Sequence, residues 1–318
     1  MSARKVPNTN SEALGHGPQA ESREPRAQRR EARAESRESG TGEGYEGWDE
    51  YAAFYDWENA RTLGKRDVPF WRSLALHCGG PVLELGCGTG RISLPLGRAG
   101  VPLVGIDRSS AMLARARTRV RRARLAKGVR LIRGDIRVLP FETAAGNQPI
   151  VDRRGAPRHA TQGDRGFAMV LAPYGLLQSL LRERDLMAAL VEIRRVLRSG
   201  GTFGLELVAD LPAWKEYRQR VSLKGWRHRP GGSHVTLVET VRQDRVRGLT
   251  VFDQEFTERR GGQRRLHRFS LSFRTLSVPQ MARRLEKAGF EVTALLGDYR
   301  GGPWDPRADV WVILARKP

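Results

Sequence analysis

The chain has 318 residues, 39% of them hydrophobic, and a formal net charge of +21. No apolar run reaches the roughly eighteen residues that a membrane span needs, and the N-terminus lacks the apolar core of a secretory signal. Two cysteines, Cys78 and Cys87, are too few for a disulfide framework or a thiolate metal centre, so a reducing, cytoplasmic setting without membrane contact is expected.

Residues 1–44 are rich in Arg, Glu, Ser, Ala and Gly. Such a segment buries too little to offset its ordering entropy, and a disordered tail is expected. Basic and acidic side chains balance over residues 1–47, so the positive surplus belongs to the rest of the chain. Much of it is arginine within Arg115–Arg133. That face suits nucleic acid or an anionic substrate, or is simply a solvated helix surface. Its shortage of aromatic residues speaks against stacking on RNA.

Aromatic residues begin at Tyr45, and Trp48, Tyr51, Phe54, Tyr55 and Trp57 recur at helical spacing, predicting an aromatic-faced helix over Gly47–Asn59. A second helix is predicted over Val68–Leu76. The next stretch, PVLELGCGTGR over Pro81–Arg91, reads as a buried strand, a tight glycine turn and the start of a helix. That helix, Thr89–Arg98, contains Pro95, which is expected to kink it. Val101–Ile106 is a second strand ending before Asp107. Ser109 or Ser110 caps a helix carrying Met112, Leu113, Ala116 and Val120 on one side. Val129–Arg133 is a third strand, residues 141–166 a long loop, and Phe167–Leu171 a fourth strand. Arg182–Leu197 is a helix stopped by Ser199-Gly200-Gly201, and Thr202–Val208 a fifth strand. Strand–helix alternation over Pro81–Val208 predicts a doubly wound α/β sheet. Val235–Val241, Leu249–Glu258 and Arg264–Thr275 then read as three antiparallel strands. Val278–Lys287 is a helix, and Phe290–Leu295 and Val310–Ala315 are the last strands.

A glycine turn between strand and helix suits a nucleotide-like ligand, because the backbone approaches closely and the helix N-terminus offers free N–H groups. A dinucleotide fingerprint requires G-x-G-x-x-G. Here Gly86, Gly88 and Gly90 give G-x-G-x-G, with Glu84 two positions earlier. ELGCGTG resembles the first motif of the class I S-adenosylmethionine-dependent methyltransferases, and the resemblance extends by motif order over about Tyr51–Pro318. It implies a Rossmann-like seven-stranded sheet with an antiparallel insertion after strand five and an N-terminal helical lid. The divisions would be a lid over 45–80, a cofactor-binding core over 81–210, a substrate-side insertion over 211–276 and a C-terminal helix and strand pair over 277–318. It further implies S-adenosyl-L-methionine as cofactor, with Asp107 on the ribose hydroxyls, Asp135 and Ile136 near the adenine and Met112 packed on its face. Tyr55 would touch the methionine end, and Ala172 would lie on the cofactor wall. The ending GFEV…VWVILARKP resembles the family's reversed strand pair. Two positions depart from it: Phe167-Ala168 stands where Phe-Asp is common, and Gln178-Ser179 where many small-molecule relatives carry a histidine.

The acceptor would sit outside the carboxyl ends of the strands, walled by Tyr174, Gln178, Trp214 and the inserted strands. Arg268 and Arg274 share a face of one inserted strand and His267 the other. All three are expected to be exposed. The resemblance implies methyl transfer to N or O of a small-molecule acceptor, with no assigned catalytic residue and no metal. An RNA or protein methyltransferase using the Arg115–Arg133 face remains open, as do a non-catalytic cofactor-binding protein and a homodimer.

Overall fold

β1 (Val82–Leu85) is buried along its whole length, as a strand covered on both sides must be. In the computed structural model it pairs in parallel with β2 (Leu103–Asp107) on one edge and β4 (Phe167–Ala172) on the other. β3 (Val129–Arg133) extends the sheet beyond β2, and β5 (Leu197–Leu207) extends it beyond β4. β11 (Trp311–Arg316) runs antiparallel to β5 and to β10 (Glu291–Leu296). The order β10-β11-β5-β4-β1-β2-β3 makes the expected seven-stranded sheet with its reversed terminal pair. Residues 47–62, 64–141, 166–209, 214–227 and 232–318 are described. The expected 1–44 tail and the loop expected over 141–166, apart from its first and last residues, lie outside them.

Alternation along the strands sends side chains to two helical layers. Leu83, Leu85, Val170, Phe203 and Leu205 meet α5 (Glu183–Val196) and α6 (Val278–Lys287) through Leu186, Leu190, Ile193, Met281 and Leu285. Val82, Leu103, Met169 and Leu171 meet α2 (Val68–Cys78) and α3 (Ser93–Arg98) on the other face, and Val120 of α4 (Ser110–Arg122) joins them. α2 is therefore a core helix, not part of a lid: Trp71 is fully buried, and a Cβ at Gly204 would meet it at 2.8 Å. The expected kink at Pro95 does not arise, because α3 starts only at Ser93. Pro95 then lies in the first turn, where its missing N–H has no partner to lose.

Between β5 and α6 the chain builds a separate four-stranded antiparallel sheet, one strand more than expected. Its strands are β6 (Tyr217–Arg227), β7 (Ser233–Asp244), β8 (Leu249–Arg260) and β9 (Gln263–Arg274). β6 escapes period-two detection because it is an arginine-bearing edge strand with two register shifts. Bulges and charges are how edge strands resist further pairing. The inner face of this sheet packs on α1 (Trp48–Asn59), where Phe54 stacks on Phe256 at 4.3 Å and Tyr51 lies beside Phe269. The exposure expected for His267, Arg268 and Arg274 holds only for Arg268, which pairs outward with Glu255. His267 faces inward against Phe54, and Arg274 is mostly buried beside Glu183.

Candidate active site

The strand order reverses direction at β1 and β4, and ligands of open α/β sheets bind at that switch, outside the carboxyl ends of the strands. The glycine turn lies there. Gly86, Gly88 and Gly90 all have left-handed backbones, with φ of 56°, 53° and 82°. A Cβ at Gly86 would strike Leu176 at 2.5 Å, so packing as well as conformation demands glycine. At Gly88 the nearest atom would be 3.9 Å away. Its open side is a cradle that a ligand can occupy and a side chain would fill.

Asp107, at the end of β2, is fixed at the rim of this cradle. Its Oδ2 accepts the Gly88 N–H at 2.7 Å and its Oδ1 the Ser109 N–H at 2.8 Å. Burial raises its pKa, and these backbone donors pull the other way. Each oxygen keeps a second lone pair for a hydroxyl pair. Glu84 is buried on β1 and accepts the Ser93 hydroxyl. Burial raises its pKa to about 8. Asp135 sits beyond β3 in a fork of Arg137 and Arg108. Partial burial pushes its carboxyl up, but the arginines outweigh this and hold it below the ordinary range. Ile136 packs on the core edge, and Ala172 is fully buried at the end of β4. Met112 lies under α1, in the cluster shared with Tyr51 and Phe54.

Residues 82–148 match a family profile described as a methyltransferase domain. The chain is 26% identical over 253 residues to a cypemycin N-terminal methyltransferase from a Streptomyces species, covering 75% of this chain and 84% of that one. Among solved structures, an S-adenosylmethionine-dependent methyltransferase from Clostridium acetobutylicum superposes with a TM-score of 0.64 at 15% identity. That match covers 84% of this chain and 98% of the other. A sugar N-methyltransferase from Streptoalloteichus gives 0.61 at 14% identity, over 95% and 99% of the two chains. The chain carries a methyltransferase domain, in the Rossmann-like fold of S-adenosylmethionine-dependent methyltransferases. Its cofactor is S-adenosyl-L-methionine, which the open Gly88 cradle and the Asp107 rim fit.

Next to the cradle, four groups that the sequence did not single out, Arg91, Asp67, Glu206 and Tyr299, gather with the expected Tyr174 and Tyr55. Arg91, the first residue after the glycines, makes a two-bond fork with Asp67 at 2.5 and 2.8 Å. Its guanidinium also lies 5.8 Å from the Tyr174 ring centre. Tyr174 has a left-handed φ of 55°, an uncommon backbone for a bulky residue and typical of functional turns. Its N–H donates to Glu206 Oε2 at 3.2 Å, and the Tyr299 hydroxyl donates to Glu206 Oε1 at 2.6 Å. Burial raises the Glu206 pKa to about 7. Tyr55 adjoins this group from α1, where burial raises its pKa and Arg91 opposes the rise. Glu206 had a readable signal, a lone carboxylate inside the apolar run of β5. Asp67 had none.

The other two expected substrate contacts stand apart. Gln178 is fully buried and committed to backbone: its Oε1 accepts the Val208 N–H at 2.7 Å, and its Nε2 donates to the carbonyls of Val208 and Arg274. Trp214 packs edge-on against Phe252 at 5.0 Å, on the inner face of the inserted sheet.

Proposed function

We propose that the domain transfers the methyl group of S-adenosylmethionine to an amine nitrogen of a small acceptor. The cofactor supplies an electrophilic methyl on a sulfonium, so the chain has to position the nucleophile, exclude water and accept a proton. The observation that carries the reading is Glu206. It is buried at the floor of the site, oriented by Tyr299 and the Tyr174 N–H, and has a pKa near 7. An α-amino group titrates at about 8. A carboxylate about one unit lower is matched to taking that proton, and is far too weak to ionise an aliphatic hydroxyl. Glu206 itself is buried, so little water reaches it. Two similar proteins support an amine: one is named for methylating an N-terminus, the other is called a sugar N-methyltransferase.

The test is methyl incorporation from labelled S-adenosylmethionine into two acceptor panels, peptides with free N-termini and amino sugars, each run beside its N-acetylated counterpart. Label on nitrogen, lost on acetylation, supports the reading. Product methylated only on oxygen overturns it.

A further inference from the structure

A second group of buried polar atoms lies away from Glu206, between α1 and the inner face of the inserted sheet. Glu58 is near the end of α1, and Glu239 and Gln254 face each other across β7 and β8. Gln254 Nε2 donates to Glu239 Oε2 at 2.9 Å and reaches Glu58 Oε1 at 3.4 Å. The Tyr51 hydroxyl donates to Glu58 Oε2 at 2.9 Å, and the Tyr217 hydroxyl donates to Glu239 Oε1. Among the described residues, neither carboxylate has an ion-pair partner. Glu239 is 7% exposed and Gln254 5%.

Gln254 supplies the independent observation. Its Oε1 is buried without a hydrogen-bond partner. Turning the amide over would satisfy the carbonyl only if Glu58 is protonated, since an ionised carboxylate cannot donate. A buried carbonyl without a donor is costly, and the two carboxylates receive only neutral donors, the hydroxyls of Tyr51, Tyr217 and Ser222 and the Gln254 amide. Two acidic side chains thus flank an amide whose carbonyl lacks a donor, and among the described residues no cation pairs with either.

We propose that Glu58, Glu239 and Gln254 Oε1 form an anchoring site for a primary ammonium group of the acceptor. An ammonium presents three donors and a positive charge, and both match the deficit. An amine held this way keeps its proton and has no lone pair for attack. The anchored nitrogen is therefore not the one methylated, and the acceptor carries a second, charged amine. Tyr51 borders the site through its hydroxyl, and Tyr174 is within electrostatic reach of Glu58. This proposal rests on the amine-acceptor reading above and adds the second amine to it.

The test needs no turnover. The full chain is saturated with S-adenosylhomocysteine, and binding is measured at pH 8 for matched probes: benzylamine against benzyl alcohol, glucosamine against glucose, and 1,4-diaminobutane against 1,4-butanediol. At least one amine is expected to bind about tenfold or more tightly than its hydroxyl partner, with that preference lost in Glu58→Gln and in Glu239→Gln. Calorimetry with S-adenosylhomocysteine confirms that each variant is folded. Should a variant fail to bind it, Gln254→Leu, which removes the orphan carbonyl, replaces it. No amine preference in any pair overturns the proposal, as does a preference that survives the substitutions. Failure of the N-methylation reading would instead appear as oxygen-linked product in the incorporation screen.

Discussion

The Thr89 hydroxyl donates to Asp56 at 2.6 Å, joining the glycine turn directly to α1. Arg119 of α4 bonds the same carboxylate at 2.9 Å and also takes the Thr89 carbonyl. Two turns earlier on α1, Asp49 accepts the Ser109 hydroxyl at 2.5 Å. α1 is thus latched to both the glycine turn and the loop after β2. Asp56→Ala is expected to weaken S-adenosylmethionine binding several-fold, the worth of about 1 kcal/mol for a partly exposed charge network. Calorimetry measures it, and an unchanged affinity would show that the latch does not act on the cofactor.

Asp107→Ala removes the carboxylate that anchors the cradle and that we propose binds the ribose. S-adenosylmethionine affinity should fall by about tenfold to a hundredfold, since charge-assisted bonds are worth about 1.5–3 kcal/mol. Gly88→Ala should also weaken binding, because it fills the open side of the turn and strains a left-handed backbone by about 1–2 kcal/mol. If either variant binds like the parent chain, the cofactor does not lie along this turn.

Asp67 is fully buried and holds Arg91. Asp67→Ala leaves a guanidinium buried without its partner, a change that costs about 3–5 kcal/mol. The thermal midpoint should drop by many degrees, and by less in Asp67→Asn, which still accepts from Arg91. Equal midpoints for the two variants would mean that the neutral acceptor kept by Asn contributes nothing and that the lost charge carries the whole effect.

Glu84, Glu58 and Glu206 have pKa values raised to about 8, 7 and 7, chiefly by burial. A carboxyl with a raised folded-state pKa favours the native state fully below its unfolded value, near 4.5, and that contribution is lost as pH rises through the folded value. The cofactor-free protein should therefore become less stable between about pH 5 and 8.5, by a few kcal/mol for each fully retained shift. Glu183 acts oppositely. Its pKa is lowered to about 2, so its contribution fades only as pH falls below 4.5. Melting curves across this range check the sign, and Glu84→Gln should flatten the slope. A midpoint independent of pH would contradict the burial argument.

Ammonium binding at the inserted sheet should strengthen from pH 6 to pH 8. The carboxyl of Glu58 has to lose its proton to accept the cation, and it faces Tyr51 on its own helix, Glu239 and Gln254 on the insertion, and Tyr174 beyond β4. Titrating benzylamine at both pH values checks this. An affinity that falls with rising pH would reverse the assignment.

The seven-stranded sheet was legible because its signals are local. Continuous apolar strands, the G-x-G-x-G turn and Asp107 at the end of β2 each declare themselves within a few residues. The inserted strands β7 to β9 alternate well enough to be found, whereas β6 does not. The acid and tyrosine network was harder to read because its members lie far apart in sequence. Asp67 meets Arg91, Glu206 meets Tyr299, and Glu58 meets Gln254 only after three layers have folded together. Gln178 shows the opposite error: its place after β4 suggested a substrate contact, yet both ends of its amide are bound to backbone.

That amide reaches Val208, where the chain leaves the sheet, and Arg274, where it comes back. The inserted strands therefore depart and return at a single stapled point, like a page held by one clip. On the proposed reading, mutations within their inner face should change which molecule is received while leaving the seven-stranded sheet intact. Exchange of 214–274 between proteins of this architecture, with Gln178 retained, is the natural route to altering the acceptor while leaving the donor chemistry in place.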